Sequence, residues 1–538
     1  MSITIYRARR IVTMDPNRPF ATHVAVRDGR ILAVGDADCA EGWGDAARDD
    51  RYADAVLMPG LIEAHAHVMA GGIWRYAYVG HYARTDPEGR EWPGVATTAA
   101  LVDRLAALAR EMPGDGPLVA WGFDPNFLEG DRLSRDHLDR AAARPLVVMH
   151  SNFHVLTCNS AALGEMEASN LSGVVRDPSG RATGELQEFE AMGPVMRASG
   201  VDFADLADEA GLRAYGEVSR LCGVTTAADL LSGLHEDEVA MLERITAEDG
   251  FPIRYAPMMN AMEGDPGDEA ARAVALSPRS TDRLRLGAAK LFTDGAIQGG
   301  TALLDPPGYY RVADHGAWNM DPAHFAAAVD ALHAAGVQTH IHTNGDAASR
   351  IALDAIEAAS RRSPAADHRH VLEHAQLAGL AQFRRMRALG VCVNLFSNHV
   401  HYFGDVHRSR SLGPDRAERM DAAADALAVF GGMFAIHSDA PVTPMGPLAT
   451  AWAAVERMTA GGRRLGSAQR IGVEDALRCI TLGAAYVLRM DHEVGSIECG
   501  KRADLCALEE DPLAVEPARL REIAVLGTMT GGRPTESA

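Results

Sequence analysis

The stretch Met58-Pro59-Gly60-Leu61-Ile62-Glu63-Ala64-His65-Ala66-His67 constrains the fold of this chain more than any other. A Pro-Gly turn, an apolar run and two histidines at i and i+2 predict a strand over Leu61–His67. Strand side chains alternate between faces, so both imidazoles point the same way. Neutral histidine is the commonest side-chain metal ligand, and two converging from one strand end can hold a transition metal. Two stacked surface histidines would look the same. The rest of the chain decides between these readings, because ligand-capable residues recur at the ends of later strands.

Eight β-prone runs can be placed: Leu61–His67, Val224–Leu230, Ile253–Asn260, Leu284–Thr293, Val337–Thr343, His370–Gln376, Val391–Phe396 and Met433–Asp439. Helical stretches such as Asp321–Ala335 and Ala347–Ser360 separate the later ones. Strands alternating with helices predict a parallel α/β fold, and eight units point to a (β/α)8 TIM barrel with its chemistry at the C-terminal strand ends. The interval 74–210 exceeds an ordinary connection and is expected to be an inserted subdomain, with a helix over Thr98–Arg110 and a strand over Pro145–Met149. Residues 1–57 read as short strands, including a hairpin turning at Asp28-Gly29. Val494–Ile497, Ala503–Leu508 and Ile523–Met529 have the same texture. One small β-sandwich domain built from 1–57 and 494–538 is therefore expected, around a barrel over 58–493.

The 52 basic and 73 acidic residues leave a formal charge of −21. Such a surface repels phosphate backbones and argues against nucleic acid as a partner. The seven cysteines are scattered without a Cys-x-x-Cys pair, which fits reduced thiols and a cytoplasmic location. Neither a signal peptide nor a run of about 18 apolar residues is visible, so no membrane association is expected.

The ligand-capable residues fall at the same end of each predicted strand: His65 and His67 on the first, Lys290 on the fourth, His342 on the fifth, His374 on the sixth and Asp439 on the eighth. Together with Lys290-Leu291-Phe292-Thr293-Asp294-Gly295, His342-Thr343-Asn344-Gly345-Asp346, Glu373-His374-Ala375-Gln376, Ser438-Asp439-Ala440-Pro441 and the closing Gly495–Leu505, they resemble the amidohydrolase superfamily. The resemblance covers nearly the whole chain and is to the YtcJ-like, amidohydrolase family 3 branch, which includes N-substituted formamide deformylases. Glu63 stands where an aspartate is common there, and the loop after strand seven is unusually rich in histidine.

The resemblance implies that His65 and His67 bind the more buried of two metals, and that His342 and His374 bind the second. It also implies that Lys290, carboxylated by carbon dioxide, bridges them. A lysine simply paired with Asp294 is the plainer alternative. Asp439 is expected at the metal or its water as general base, although it would also suit a helix N-cap. Zinc is the expected ion, one or two, with manganese, iron or cobalt as alternatives. His340 and His437 read as packed core histidines or as supports behind the ligands. His368 and His370 read as strand-six entrance residues, and Asp346 as the cap of the helix beginning at Ala347.

Substrate contacts are expected from His154 in the inserted segment and from His399, His401 and Tyr402 in the loop after strand seven. Trp121–Asp124 reads as core packing or as a cavity wall. The function expected is hydrolysis of a C–N amide-type bond in an N-acyl, N-formyl or carbamoyl small molecule. A decarboxylase or lyase on the same scaffold, and a non-catalytic metal-binding barrel, are the alternatives. A homodimer follows from the resemblance alone.

Overall fold

All six residues of Leu61–Ala66 are buried, as expected of a parallel strand covered on both faces. In the computed structural model, which describes residues 3–202 and 204–536, this strand opens a parallel eight-stranded sheet. Its strands are β1 (Leu61–Ala66), β2 (Val224–Ser232), β3 (Arg254–Asn260), β4 (Ala289–Phe292), β5 (Thr339–Thr343), β6 (Val371–His374), β7 (Cys392–Leu395) and β8 (Ala435–Ile436). They are ordered one to eight. The ring closes one step beyond β8: Ala66 pairs with Ala440, His67 donates its amide to Ala440, and Asp439 donates its own to the His65 carbonyl, 3.0 Å away. Helices Pro322–Ala334 and Asp346–Arg362 separate β4, β5 and β6. The first is capped by Asp321, whose carboxylate accepts from the amides of Ala323 and His324.

All eight predicted strands are present, most a residue or more shorter than expected and two cut to less than half the expected length. Of Leu284–Thr293 only Ala289–Phe292 forms a ladder, because Gly287 at φ +104° takes the chain out of the extended conformation. Of Met433–Asp439 only Ala435–Ile436 does, and Asp439 itself is left-handed at φ 52°. Val494–Ile497 forms no strand: the Ile497 amide donates to the Thr13 carbonyl instead of joining a ladder.

Strands from both chain ends share a second sheet, in the order 533–536, 525–530, 505–508, 56–59, 3–12, 20–27, 30–35. Its core contains Ile11, Val24, Leu57, Leu505 and Met529. Gly60 links this sheet to β1, and a Cβ there would fall 1.9 Å from the Thr225 hydroxyl, so only glycine fits. Buried Arg254, on β3, makes a two-pronged contact with Asp504 at 2.6 and 3.0 Å, joining the barrel to the Leu505–Leu508 strand. Residues 68–218 form a separate compact unit. Its six-stranded sheet encloses a core around Trp121, Met149, Leu156, Leu186 and Met192. Trp121 is a packed core residue there, with its ring against Trp74 and Tyr78. Among the described residues, no helix is long and apolar enough to cross a membrane.

At the N-terminal ends of β5 and β6, His333, His368 and His370 form a chain of hydrogen bonds. His333 Nε2 donates to the Ser363 carbonyl, leaving its Nδ1 to accept from His370 Nε2 at 2.8 Å. His370 Nδ1 accepts from the Thr339 amide, and the His370 amide donates to His368 Nδ1. His368 Nε2 donates to the Leu389 carbonyl. Every ring nitrogen is used with all three rings neutral, so the predicted place of His368 and His370 at the strand entrance holds and their work is structural. Burial, with His368, His333, His340 and Arg489 nearby, pushes the His370 pKa well below its ordinary value. A histidine with a depressed folded pKa stabilises fully above its unfolded pKa of about 6.5, and the contribution is lost as pH falls below that. His370→Asn is therefore expected to remove about one proton from the uptake on unfolding below pH 6.5. Urea titrations across pH 5 to 8 read this directly, and an unchanged acid slope would refute it.

Candidate functional site

His65 is the last residue but one of β1, and His67 follows directly after the strand. The closing seam sets Asp439 beside them, with its Oδ1 3.4 Å from His65 Nε2 and 3.2 Å from His67 Nε2. That oxygen has no aligned hydrogen-bond donor although it is buried. Asp439 caps no helix, since Gly446 precedes the next one, Pro447–Glu456. From β5 and β6, His342 Nδ1 and His374 Nε2 approach to 3.0 Å. The His342 ring stacks on Phe292 at 4.7 Å. Five of the six predicted ligand positions are thus joined by short contacts in two groups, His65–His67–Asp439 and His342–His374. His374 Nδ1 lies 4.0 Å from Asp439 Oδ2 and links the groups.

The sixth position, Lys290 on β4, is fully buried, and its Nζ has no hydrogen-bond partner. It is not paired with Asp294, whose oxygens accept instead from the amides of Leu303, Asn344 and Gly345. Burial lowers the Lys290 pKa to about 8 against the opposing charges of Glu373 and Asp439.

Glu373 reaches toward both groups of predicted ligands. It accepts from His65 Nδ1 at 2.7 Å, from His340 Nδ1 at 2.6 Å and from Asn394 Nδ2 at 2.8 Å. A His65 that donates from Nδ1 keeps its Nε2 lone pair toward Asp439. A second path leads to His374: His437 Nδ1 donates to Asn394 Oδ1 at 2.9 Å, and His374 Nδ1 donates to His437 Nε2 at 3.0 Å. His374 is thereby left with a bare Nε2. Burial opposes the Glu373 charge, but His65 and His340 overcome it and hold the carboxyl well below its usual range.

Sequence reasoning gave Glu373 no role, because alternation along β6 assigns residues 373 and 374 to opposite faces. The left-handed backbone at His374 (φ 64°) and Ala375 (φ 43°) breaks that alternation and brings both inward. Asp229, in the C-terminal half of β2, was also missed. It is buried, accepts from the Tyr255 hydroxyl at 2.7 Å and lies 3.8 Å from His67 Nδ1. The one available signal was an acid in the apolar run Ala227-Ala228-Asp229-Leu230-Leu231. Glu63 accepts from the Ser438 hydroxyl at 2.7 Å and from the amides of Ser438 and His65, and burial pushes it up to about 7.

His340 and His437 lie behind the predicted ligands, bonded to Glu373 and to His374 and Asn394, although His340 Nε2 lacks the partner expected of a satisfied core histidine. Asp346 is not a cap: Gly345 holds that position, and the Asp346 carboxylate accepts from the Asp305 amide and from Arg416. His399 is buried, with Nδ1 3.1 Å from His407 Nε2. His401 donates to the Met458 carbonyl and packs edge-on against Trp452, with the half-buried Tyr402 ring 4.9 Å away. His154 belongs to the 68–218 unit, where its half-exposed ring lies 3.2 Å from Glu188.

A cation fits the His65–His67–Asp439 group on charge as well as geometry. Burial alone would lower the His67 pKa, yet Asp229 and Asp439 raise it to about 9. The same two carboxylates would attract a divalent ion. His342 is held neutral, to about 3, by burial and the Lys290 charge. His374 is pushed well below its ordinary value by burial, His342 and His65. Neutral imidazoles are the form that binds metal.

The sequence profile described as the amidohydrolase family matches residues 53–535. The chain is 27% identical to an N-substituted formamide deformylase of Arthrobacter pascens, over 97% of this chain and 96% of that one. It is 25% identical to the putative amidohydrolase YtcJ of Bacillus subtilis, over 98% of both. An uncharacterized metal-dependent hydrolase from Pyrococcus horikoshii shares the fold at a TM-score of 0.74 and 22% identity, over 96% of this chain and 99% of that one.

If Glu373 sets the tautomers of His65 and His374, Glu373→Gln will scramble both. Zinc affinity is expected to fall about 10- to 100-fold while the folded state survives. Competition against a chromogenic chelator measures this, and unchanged affinity would remove the assigned role.

Proposed function

The chain belongs to the amidohydrolase family, and from that premise we propose that it is a metal-dependent hydrolase of C–N amide-type bonds. The substrate class is an N-acyl, N-formyl or carbamoyl small molecule. The observation that carries this reading is the convergence of four imidazoles and Asp439 at the C-terminal end of the barrel strands, with Asp439 Oδ1 beside two imidazole nitrogens and no hydrogen-bond donor of its own. Kinship to a formamide deformylase supports the C–N bond as the one cut.

His65, His67 and Asp439 would hold one cation, and His342 with His374 a second, zinc being the first choice for this donor set. Such a cation supplies acidity to a water molecule and polarises a carbonyl. The remaining work belongs to the chain. Asp439 takes a proton from the attacking water as its oxygen bonds to the carbonyl carbon. It returns that proton to the nitrogen as the C–N bond breaks, so the products are a carboxylic acid and an amine. Glu373 keeps His65 and His374 facing the site throughout.

Lys290 is suited to become the anionic bridge. Its neutral Nζ attacks carbon dioxide, forms an N–C bond and releases one proton, leaving a carbamate. A buried amine with no partner and a pKa of about 8 is poised for this, since its ammonium form is costly among cations.

Asp439→Asn is expected to lower turnover of an active amide about 10²- to 10⁴-fold. Unchanged turnover would remove its role. Lys290→Ala is expected to lose bound metal and activity together, by elemental analysis and by assay. A variant that keeps both would rule out the bridge. Release of carbon dioxide with the C–N bond intact would favour a lyase instead.

A further inference from the structure

The histidine-rich loop after β7 holds a buried pair that the hydrolytic scheme above leaves unused. His399 lies in the helical turn Asn398–Tyr402, 2% exposed. Its ring is fixed between Phe396, 4.2 Å away, and Phe403, 4.5 Å away. Phe396 in turn packs against His437 at 4.8 Å and His374 at 5.5 Å. Asn398, next to His399, donates to the Thr443 hydroxyl, which donates to the carbonyl of Ser438 beside Asp439. His399 is thus built onto the rim of the ligand set, close enough to feel the charge of Asp439.

Its partner His407 is fully buried at the start of a π-helical turn, His407–Ser411, whose first carbonyl accepts from both Leu412 and Gly413. Such turns recur at functional sites. The rings stack at 5.3 Å with 21° between planes, and His399 Nδ1 lies 3.1 Å from His407 Nε2. One proton joins them, and His407 Nδ1 has no partner. If His399 supplied the proton, His407 would carry a buried N–H with no acceptor. If His407 supplies it, His407 Nδ1 is left bare and the unpaired N–H moves to His399 Nε2. An N–H on the fully enclosed His407 Nδ1 could meet no acceptor, and orphaned buried N–H groups are costly. On His399, at the rim of the ligand set, the same N–H can be met by a bound ligand, which favours the second arrangement. Burial and His407 keep His399 uncharged.

We propose that His399 is a catalytic hydrogen-bond donor whose Nε2–H binds the substrate carbonyl oxygen as it becomes an oxyanion, and that His407 is the positioning residue that fixes this tautomer. The assignment rests on the hydrolase reading above. Among the described residues the His399 ring is hydrogen-bonded only through Nδ1, which leaves its Nε2–H for a ligand.

The test uses zinc-loaded, ¹⁵N-histidine-labelled full chain and turnover of p-nitroformanilide. Long-range ¹⁵N–¹H spectra, assigned with His399→Gln, should show the proton of His399 on Nε2. His407→Met should mix the two tautomers. It should also lower kcat about 10- to 100-fold with KM little changed, as for loss of a transition-state donor. His407→Gln, which keeps an N–H in place of Nε2, should restore kcat to within about threefold, which also separates the effect from misfolding. A wild-type His399 protonated on Nδ1, or a His407→Met enzyme with wild-type kcat, overturns the proposal. Wild-type inertness toward formyl, acyl and carbamoyl anilides alike would sink the hydrolase reading and the oxyanion role with it. Normal turnover indifferent to His407 sinks the dyad alone.

Discussion

Two backbone hydrogen bonds hold the rest of this site together: Asp439 N–H to the His65 carbonyl and His67 N–H to the Ala440 carbonyl. They join the first barrel strand to the segment beyond the last. Residues 374 positions apart become neighbours through them, and only a closed ring of parallel strands achieves that without a long loop. The seam also sets the Asp439 carboxylate 3.4 and 3.2 Å from two imidazole nitrogens. Sites carried on regular elements are held more closely than sites on loops.

Around the seam, the charges balance in layers. Burial and crowding hold His342 and His374 neutral, while Asp229 and Asp439 draw positive charge to His67. Glu373 serves three donors at once, and Asp229 and Asp439 flank His67 from two sides. Burying carboxylates is costly unless each is paired, and here nearly every oxygen has a partner. Among the buried polar atoms without a partner, Asp439 Oδ1 and Lys290 Nζ lie where chemistry is expected.

How much of this was legible in the residues depended on whether the signal was local. The barrel strands could be read because parallel strands are continuous apolar runs bounded by turn residues. His65 with His67, and His340 with His342, followed from the two-residue period. Glu373 escaped because a left-handed kink at His374 overrode that period, and nothing in Leu372-Glu373-His374-Ala375 announces a kink. Asp229 escaped because one acid in a strand has no partner in its own segment. Asp346 was misplaced because Arg416 and the Asp305 amide, both remote in sequence, compete for its carboxylate. The His399–His407 pair was half visible: both histidines stood in the loop, but their hydrogen bond depends on an irregular helical turn.

The sequence by itself determined the kinds of groups available and the strand ends that carry them, because periodicity and burial are encoded within a few residues. Tertiary structure alone decided which nitrogen of each imidazole keeps its lone pair, which carboxylate stands behind it and which polar atoms are left without partners. Those outcomes depend on hydrogen bonds between segments tens to hundreds of residues apart. No local pattern records such contacts.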